Sequence, residues 1–81
     1  NSKKDLRNAE INKKIRENQK FIKKNFDYVG ENFAFEARSI HYGDNKKKKN
    51  IFGTATSNEI KELSEEGIET ETFPWIEDKN N

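Results

Sequence analysis

Apolar positions in the first third of the chain recur with a helical period. Four of them fall on one stripe of a 3.6-residue repeat: Ile11, Ile15, Ile22 and Phe26. Ser2 can cap the start of such a helix, with Asp5 three residues later in a weak form of the capping box. Together these signals predict a long helix over residues 3–26, which ends before Gly30.

Residues 32–42 show a different pattern, in which apolar and polar side chains alternate as they do in a strand. One face would carry Phe33, Phe35 and Ala37, and the apolar parity changes at Ile40, which suggests a bulge. Turn-forming residues at 43–45 are followed by four lysines and by a second apolar run at 50–55. This order predicts a β-hairpin with a polar, lysine-rich tip.

The clearest local signals lie after the predicted hairpin. Thr56 and Glu59 fit a capping box, and Gly67 is placed to end the helix that they begin, over residues 58–66. Ile68 is positioned for the hydrophobic contact that accompanies such an ending. Residues 69–73 then predict a short third strand, closed by Pro74.

The predicted order is therefore helix, strand, strand, helix, strand, which defines an α+β fold. We expect a single domain over residues 1–81, with a small antiparallel sheet built on the hairpin and with helices packed on one face of it. The apolar stripe is thin before Ile11 and the last residues are polar, so residues 1–10 and 77–81 are expected to fray.

The composition narrows the class of protein. There is no cysteine, so the sequence excludes disulfides and thiolate metal sites, and no cofactor or metal motif is visible. No apolar run approaches the length of a membrane span, no signal-peptide pattern is visible, and 38% of the residues are charged. These features predict a protein of the cytoplasm, in a bacterial cell or in the host cell of a phage. The abundance of Lys, Asn and Ile, which have AT-rich codons, favours a phage or mobile-element accessory protein that regulates or inhibits a host enzyme.

Charge is segregated along the chain although its formal net value is only +1. Residues 1–26 hold nine Lys or Arg against three acids, and residues 55–81 hold eight acids against two Lys. Two surfaces of opposite sign follow from this distribution.

One candidate for catalysis is the group of Glu36, Arg38 and His41. A base, a cation and an acid are what a small ribonuclease needs to cleave a phosphodiester. Strand parity argues against that role, because Glu36 and Arg38 would share one face and His41 would lie on the other. A lone histidine near the end of a strand is more often a surface or half-buried residue than a catalytic one.

Nucleic acid is a second candidate partner. The contact residues would come from the hairpin tip and the basic helix: Lys46, Lys47, Lys48, Lys49, Lys13, Arg16 and Lys20. Lysines of this kind also occur simply as solvated loops and helix faces, and the tip lacks the aromatic residues on which bases stack.

The leading hypothesis from the sequence is a non-enzymatic module that binds a protein, either a separate partner or a second copy of itself. The candidate interface residues are Trp75, Glu62, Glu66 and Glu69. An acidic surface can dock on a basic one, and a tryptophan beside it can anchor the contact, although the single tryptophan of a small domain more often belongs to its core.

Overall fold

The computed structural model describes residues 2–43 and 50–77. The elements follow in the order α1 (Ser2–Asn25), β1 (Asp27–Gly30), α2 (Phe33–His41), β2 (Ile51–Gly53) and α3 (Ser57–Glu65). Residues 68–77 come after α3 and have no regular secondary structure. The fold is therefore roughly α+β, with the described helices outweighing a very small sheet.

The sheet is parallel, so the prediction of an antiparallel hairpin was wrong. β1 pairs with β2, with Asp27 opposite Ile51 and Tyr28 opposite Phe52. Parallel strands cannot be joined by a tight turn and need a crossover, which here contains α2. The predicted lysine tip at residues 46–49 falls in this crossover but outside the described residues.

The segment predicted as the first strand of the hairpin is instead the helix α2. Its buried residues are Ala34 and Ala37, with Phe33 and Ile40 half-buried beside them. These positions follow the helical repeat, and alanine is the best helix former. Phe35, which the strand pattern placed on the buried face, is 70% exposed. The change of apolar parity at Ile40 was therefore a sign of helical period and not of a bulge.

The two strands come unusually close at a pair of glycines. Gly30 and Gly53 are register partners, and a side chain built on Gly53 would overlap the carbonyl oxygen of Gly30 and lie 3.1 Å from its nitrogen. Thr54 then donates its backbone N–H to that same carbonyl at 2.9 Å. Gly30 itself has a φ of 58°, which a glycine adopts without strain. The close approach therefore requires glycine at position 53, and the backbone conformation favours glycine at position 30.

The prediction for α3 is confirmed at both of its ends. Thr56 accepts a hydrogen bond from the Glu59 backbone, and the Glu59 carboxylate accepts one from the Thr56 backbone, which completes the capping box. At the other end Gly67 has a φ of 82°, and the N–H of Ile68 reaches back to the carbonyl of Leu63 at 2.9 Å. This is the hydrogen bond of a Schellman ending.

The core forms where α2 and α3 meet β2. It consists of Ala34, Ala37, Leu63 and Ile68, with Phe33 and Ile51 packed against it. Leu63 is 0% exposed. The predicted third strand at residues 69–73 was wrong, because these residues pass the core without pairing into the sheet.

The long helix was correctly predicted, but it is attached only near its carboxyl end. Its buried residues are Gln19 and Ile22, whereas every described residue before Ile15 is exposed. A helix of 24 residues is about 36 Å long. More than half of that length has no cover from the described part of the chain.

Candidate functional site

A row of three aromatic rings crosses the sheet and continues onto the segment after α3. Tyr28 and Phe52 are register partners, and their ring centroids are 5.0 Å apart. The centroid of Trp75 lies 5.6 Å from that of Phe52, with the planes inclined by 31°. Tyr28 is 69% exposed and Trp75 is 40% exposed. We call these three residues the aromatic row.

The position of Trp75 is fixed by two contacts with α1. The side-chain amide of Gln19 donates to the carbonyl of Ile76 at 3.0 Å and accepts from its N–H at 2.7 Å. This satisfies the buried amide of Gln19, which would be costly to leave unpaired. The ammonium of Lys23 lies 5.8 Å from the centroid of the Trp75 ring, within the range of a cation–π interaction.

A second polar cluster joins α2 to the end of α3. Arg38 donates from Nε to both carboxylate oxygens of Glu66, at 3.0 and 2.9 Å. A second guanidinium nitrogen of Arg38, Nη2, lies 2.8 Å from Oε2 of Glu66. Tyr42 donates its hydroxyl to the same carboxylate at 2.9 Å. The hydrogen bonds from Arg38 and then from Tyr42 lower the pKa of Glu66, and the bond to Glu66 raises the pKa of both Arg38 and Tyr42. The cluster links α2 to the carboxyl end of α3.

The candidate catalytic residues do not form a trio in this structure. All three lie on α2, where residues are separated by about 100° per position, so Glu36 projects from a different face than Arg38 and His41. Arg38 is held by Glu66. His41 is exposed and packs edge-on against Tyr42, with centroids 4.9 Å apart. The helix brings His41 and Arg38 nearer to each other than a strand would, but it separates both from Glu36.

The candidate nucleic-acid residues on α1 share one face. Lys13, Arg16 and Lys20 line a shallow surface of the helix together with Ala9, Asn12 and Glu17. Lys23 follows three residues later on the same side. The other four candidates, Lys46, Lys47, Lys48 and Lys49, lie outside the described residues.

The candidate protein-interface residues are spread over three places. Glu66 is bound to Arg38, and Glu62 lies one turn before it on α3, also near Arg38. Trp75 belongs to the aromatic row. Glu69 lines a separate open groove beside α3, which is formed by Ile60, Ser64, Ile68, Glu69, Thr70 and Glu71. We call this feature the acidic groove.

Sequence reasoning did not foresee the aromatic row or the Gln19 contact. Tyr28 and Phe52 meet only because the strands are parallel and in this register. Two short apolar segments that each end in glycine, D-Y-V-G and I-F-G, were the signal that could have revealed the pairing. No pattern in the sequence indicates that Gln19 would be buried.

The described residues contain neither a cluster of potential metal ligands nor a helix that could span a membrane. In residues 2–43 and 50–77, no three side chains of His, Cys, Asp or Glu converge as they would around a metal ion. Over the same residues, each helix is too short or too polar to cross a lipid bilayer.

One of three comparisons with known proteins assigns the chain to a family. The curated proteins gave no match, and the solved structures gave none either. A family model described as "Protein of unknown function (DUF1178)" matches residues 1–78. That match covers nearly the whole sequence, and the chain therefore belongs to the DUF1178 family.

Proposed function

We propose that this chain is a non-enzymatic module of the cytoplasm that acts by binding a basic protein surface through the acidic groove. The observation that carries the proposal is the groove itself, where half-buried Ile60 and buried Ile68 lie beside the exposed carboxylates of Glu69 and Glu71. An apolar centre with a charged rim is the usual anatomy of a protein interface.

Charge complementarity defines the partner's chemistry. Between residues 57 and 77 there are seven acids and a single Lys, so the field around the groove is negative. A surface rich in Lys or Arg, including one that otherwise binds nucleic acid, would be steered toward it. Such a module would regulate its partner by covering that surface, in keeping with the role of a phage or mobile-element accessory protein.

The test is affinity capture from a nuclease-treated lysate of a low-GC bacterium, with a charge-reversed groove as the comparison. We expect the wild type to retain one protein in near-equal amount and the Glu69→Lys/Glu71→Lys variant to lose it. Glu31→Lys is the matched control, because it reverses an exposed acid in the turn between β1 and α2. A protein that both variants retain equally would refute the groove as the binding site.

Light scattering on the purified protein distinguishes a second copy from a separate partner. A dimer that the groove variant abolishes and the Glu31→Lys variant preserves would identify a second copy of this chain as the partner. A monomer at all concentrations leaves a separate protein as the partner.

A further inference from the structure

We propose that single-stranded nucleic acid binds the basic part of the chain, along α1 and across the aromatic row. This site is separate from the acidic groove, and it goes beyond the proposed protein-binding function. The inference rests on two features that the structure brings together: a line of cations on one helix face, and exposed aromatic rings at the end of that line.

The cations are spaced at three and four residues along α1, which keeps them on one side of the helix. They are Lys13, Arg16, Lys20 and Lys23. We call them the basic row. The first and last of them are ten residues apart, which is about 15 Å along the helix axis. Glu17 lies beside the row, but a single carboxylate against four cations leaves a local net charge of +3.

The basic row leads directly to the aromatic row. Lys23, its last member, has its ammonium 5.8 Å from the centre of the Trp75 ring. From there the rings continue through Phe52 to Tyr28, at centroid separations of 5.6 and 5.0 Å. Phosphates following the helix would therefore bring their bases to exposed aromatic surface at its end.

This combination selects single strands over duplexes. Proteins that bind single strands pair a positive track for the phosphates with aromatic rings on which unpaired bases stack. In a duplex the bases are already stacked on each other and cannot use the rings. Tyr28 is 69% exposed and Trp75 is 40% exposed, so part of each side chain is accessible to an unpaired base.

The experiment uses the only tryptophan of the chain as its probe. An oligothymidylate of about twelve nucleotides is titrated into the full chain at low salt, and the fluorescence of Trp75 is recorded. We expect quenching with a dissociation constant of about 10 μM, in the range of non-specific binding, and clearly weaker quenching by a duplex of equal length. If four phosphates are contacted, the logarithm of affinity should fall with the logarithm of salt at a slope of roughly −3.

Matched variants locate the two halves of the site. Lys13→Ala should weaken binding and reduce the salt slope by about 0.7, whereas Lys14→Ala, the adjacent residue on the other side of the helix, should leave both unchanged. Tyr28→Leu keeps an apolar side chain and removes the ring, and it should lower affinity about tenfold. Far-ultraviolet circular dichroism confirms that each variant keeps its fold.

The proposal is overturned if the oligonucleotide leaves Trp75 fluorescence unchanged, if duplex binds as well as single strand, or if the two lysine variants behave alike. Quenching by vesicles of anionic lipid at the same charge concentration, without any by the oligonucleotide, would overturn it in favour of a membrane surface. None of these results bears on the acidic groove, because its test variants lie on other residues and the lysate is nuclease-treated.

Discussion

The first and the last of the described helices, α1 and α3, are stabilised in opposite ways. α3 has only nine residues, yet it has a capping box at its start, a Schellman ending and a fully buried Leu63. α1 has 24 residues and buries only Gln19 and Ile22, while Ile11 on the same stripe is 48% exposed. A long periodic stripe therefore indicates that a helix forms, but it does not indicate how much of the helix is anchored to the fold.

The largest expected effect is on the free energy of unfolding, because a side chain of α3 is fully buried and its counterpart on α1 is not. Leu63→Ala should lower the free energy of unfolding by about 2–5 kcal/mol, because it removes the one fully buried large side chain of the described core. The matched change on α1, Ile11→Ala, should alter it by less than about 0.5 kcal/mol, because that side chain is largely exposed. Urea denaturation followed by circular dichroism measures both. Equal losses would mean that α1 is covered in solution by a surface outside the described residues.

A smaller effect is expected where α1 is attached. Gln19→Leu leaves the N–H and carbonyl of Ile76 without their partner, which should cost about 1–3 kcal/mol. It should also release Trp75 from its position, so the emission of the tryptophan should shift to longer wavelength. Asn18→Leu makes the same chemical change at the exposed neighbouring position and should do neither. An unshifted emission in Gln19→Leu would contradict the contact.

The smallest effect concerns the ion pair between α2 and α3. Arg38 and Tyr42 lower the pKa of Glu66, so its carboxylate stabilises the fold above the ordinary glutamate pKa of about 4.3. This contribution is lost as the pH falls through the lowered pKa of the folded state, because the carboxylate is then protonated in both states. The difference in thermal stability between wild type and Glu66→Gln should thus be present at neutral pH and shrink in acid.

Glu65→Gln serves as the control for that pH dependence, since Glu65 is an exposed neighbour on the same helix. A stability difference for Glu66→Gln that stays constant between neutral and acid pH would show that the carboxylate charge contributes nothing to the pairing of the helices.

The predictions made from the sequence succeeded where the interactions are local and failed where they are distant in sequence. The caps of α3 depend on residues three to five positions apart, and the pattern Thr56, Glu59, Gly67 contained all the information needed. The helical spacing of the apolar residues likewise predicted α1. These predictions succeeded because the hydrogen bonds involved are formed within the element itself.

The failures arose where neighbours in space are far apart in sequence. Phe33 and Ala37 fit a strand face and a helix face alike, and only packing against Leu63 of α3 decides for the helix. The strand pair joins residues 24 positions apart, and turn-forming residues at 43–45 favoured a hairpin over a crossover. The aromatic row could not be predicted for the same reason. The charged half of the proposed site could be chosen from helical spacing alone: Lys13, Arg16 and Lys20.

The hydrogen bonds between Gln19 and Ile76 also have a consequence for the order of assembly. They join residues 57 positions apart, the longest separation among the hydrogen bonds described above. Contacts at such separation close large loops, which costs more conformational entropy than closing a short loop does. On the ribosome, Gln19 is synthesised before Ile76, so these hydrogen bonds cannot form until residue 76 has been added and has left the exit tunnel. The basic helix is therefore made long before the hydrogen bonds near its carboxyl end can form.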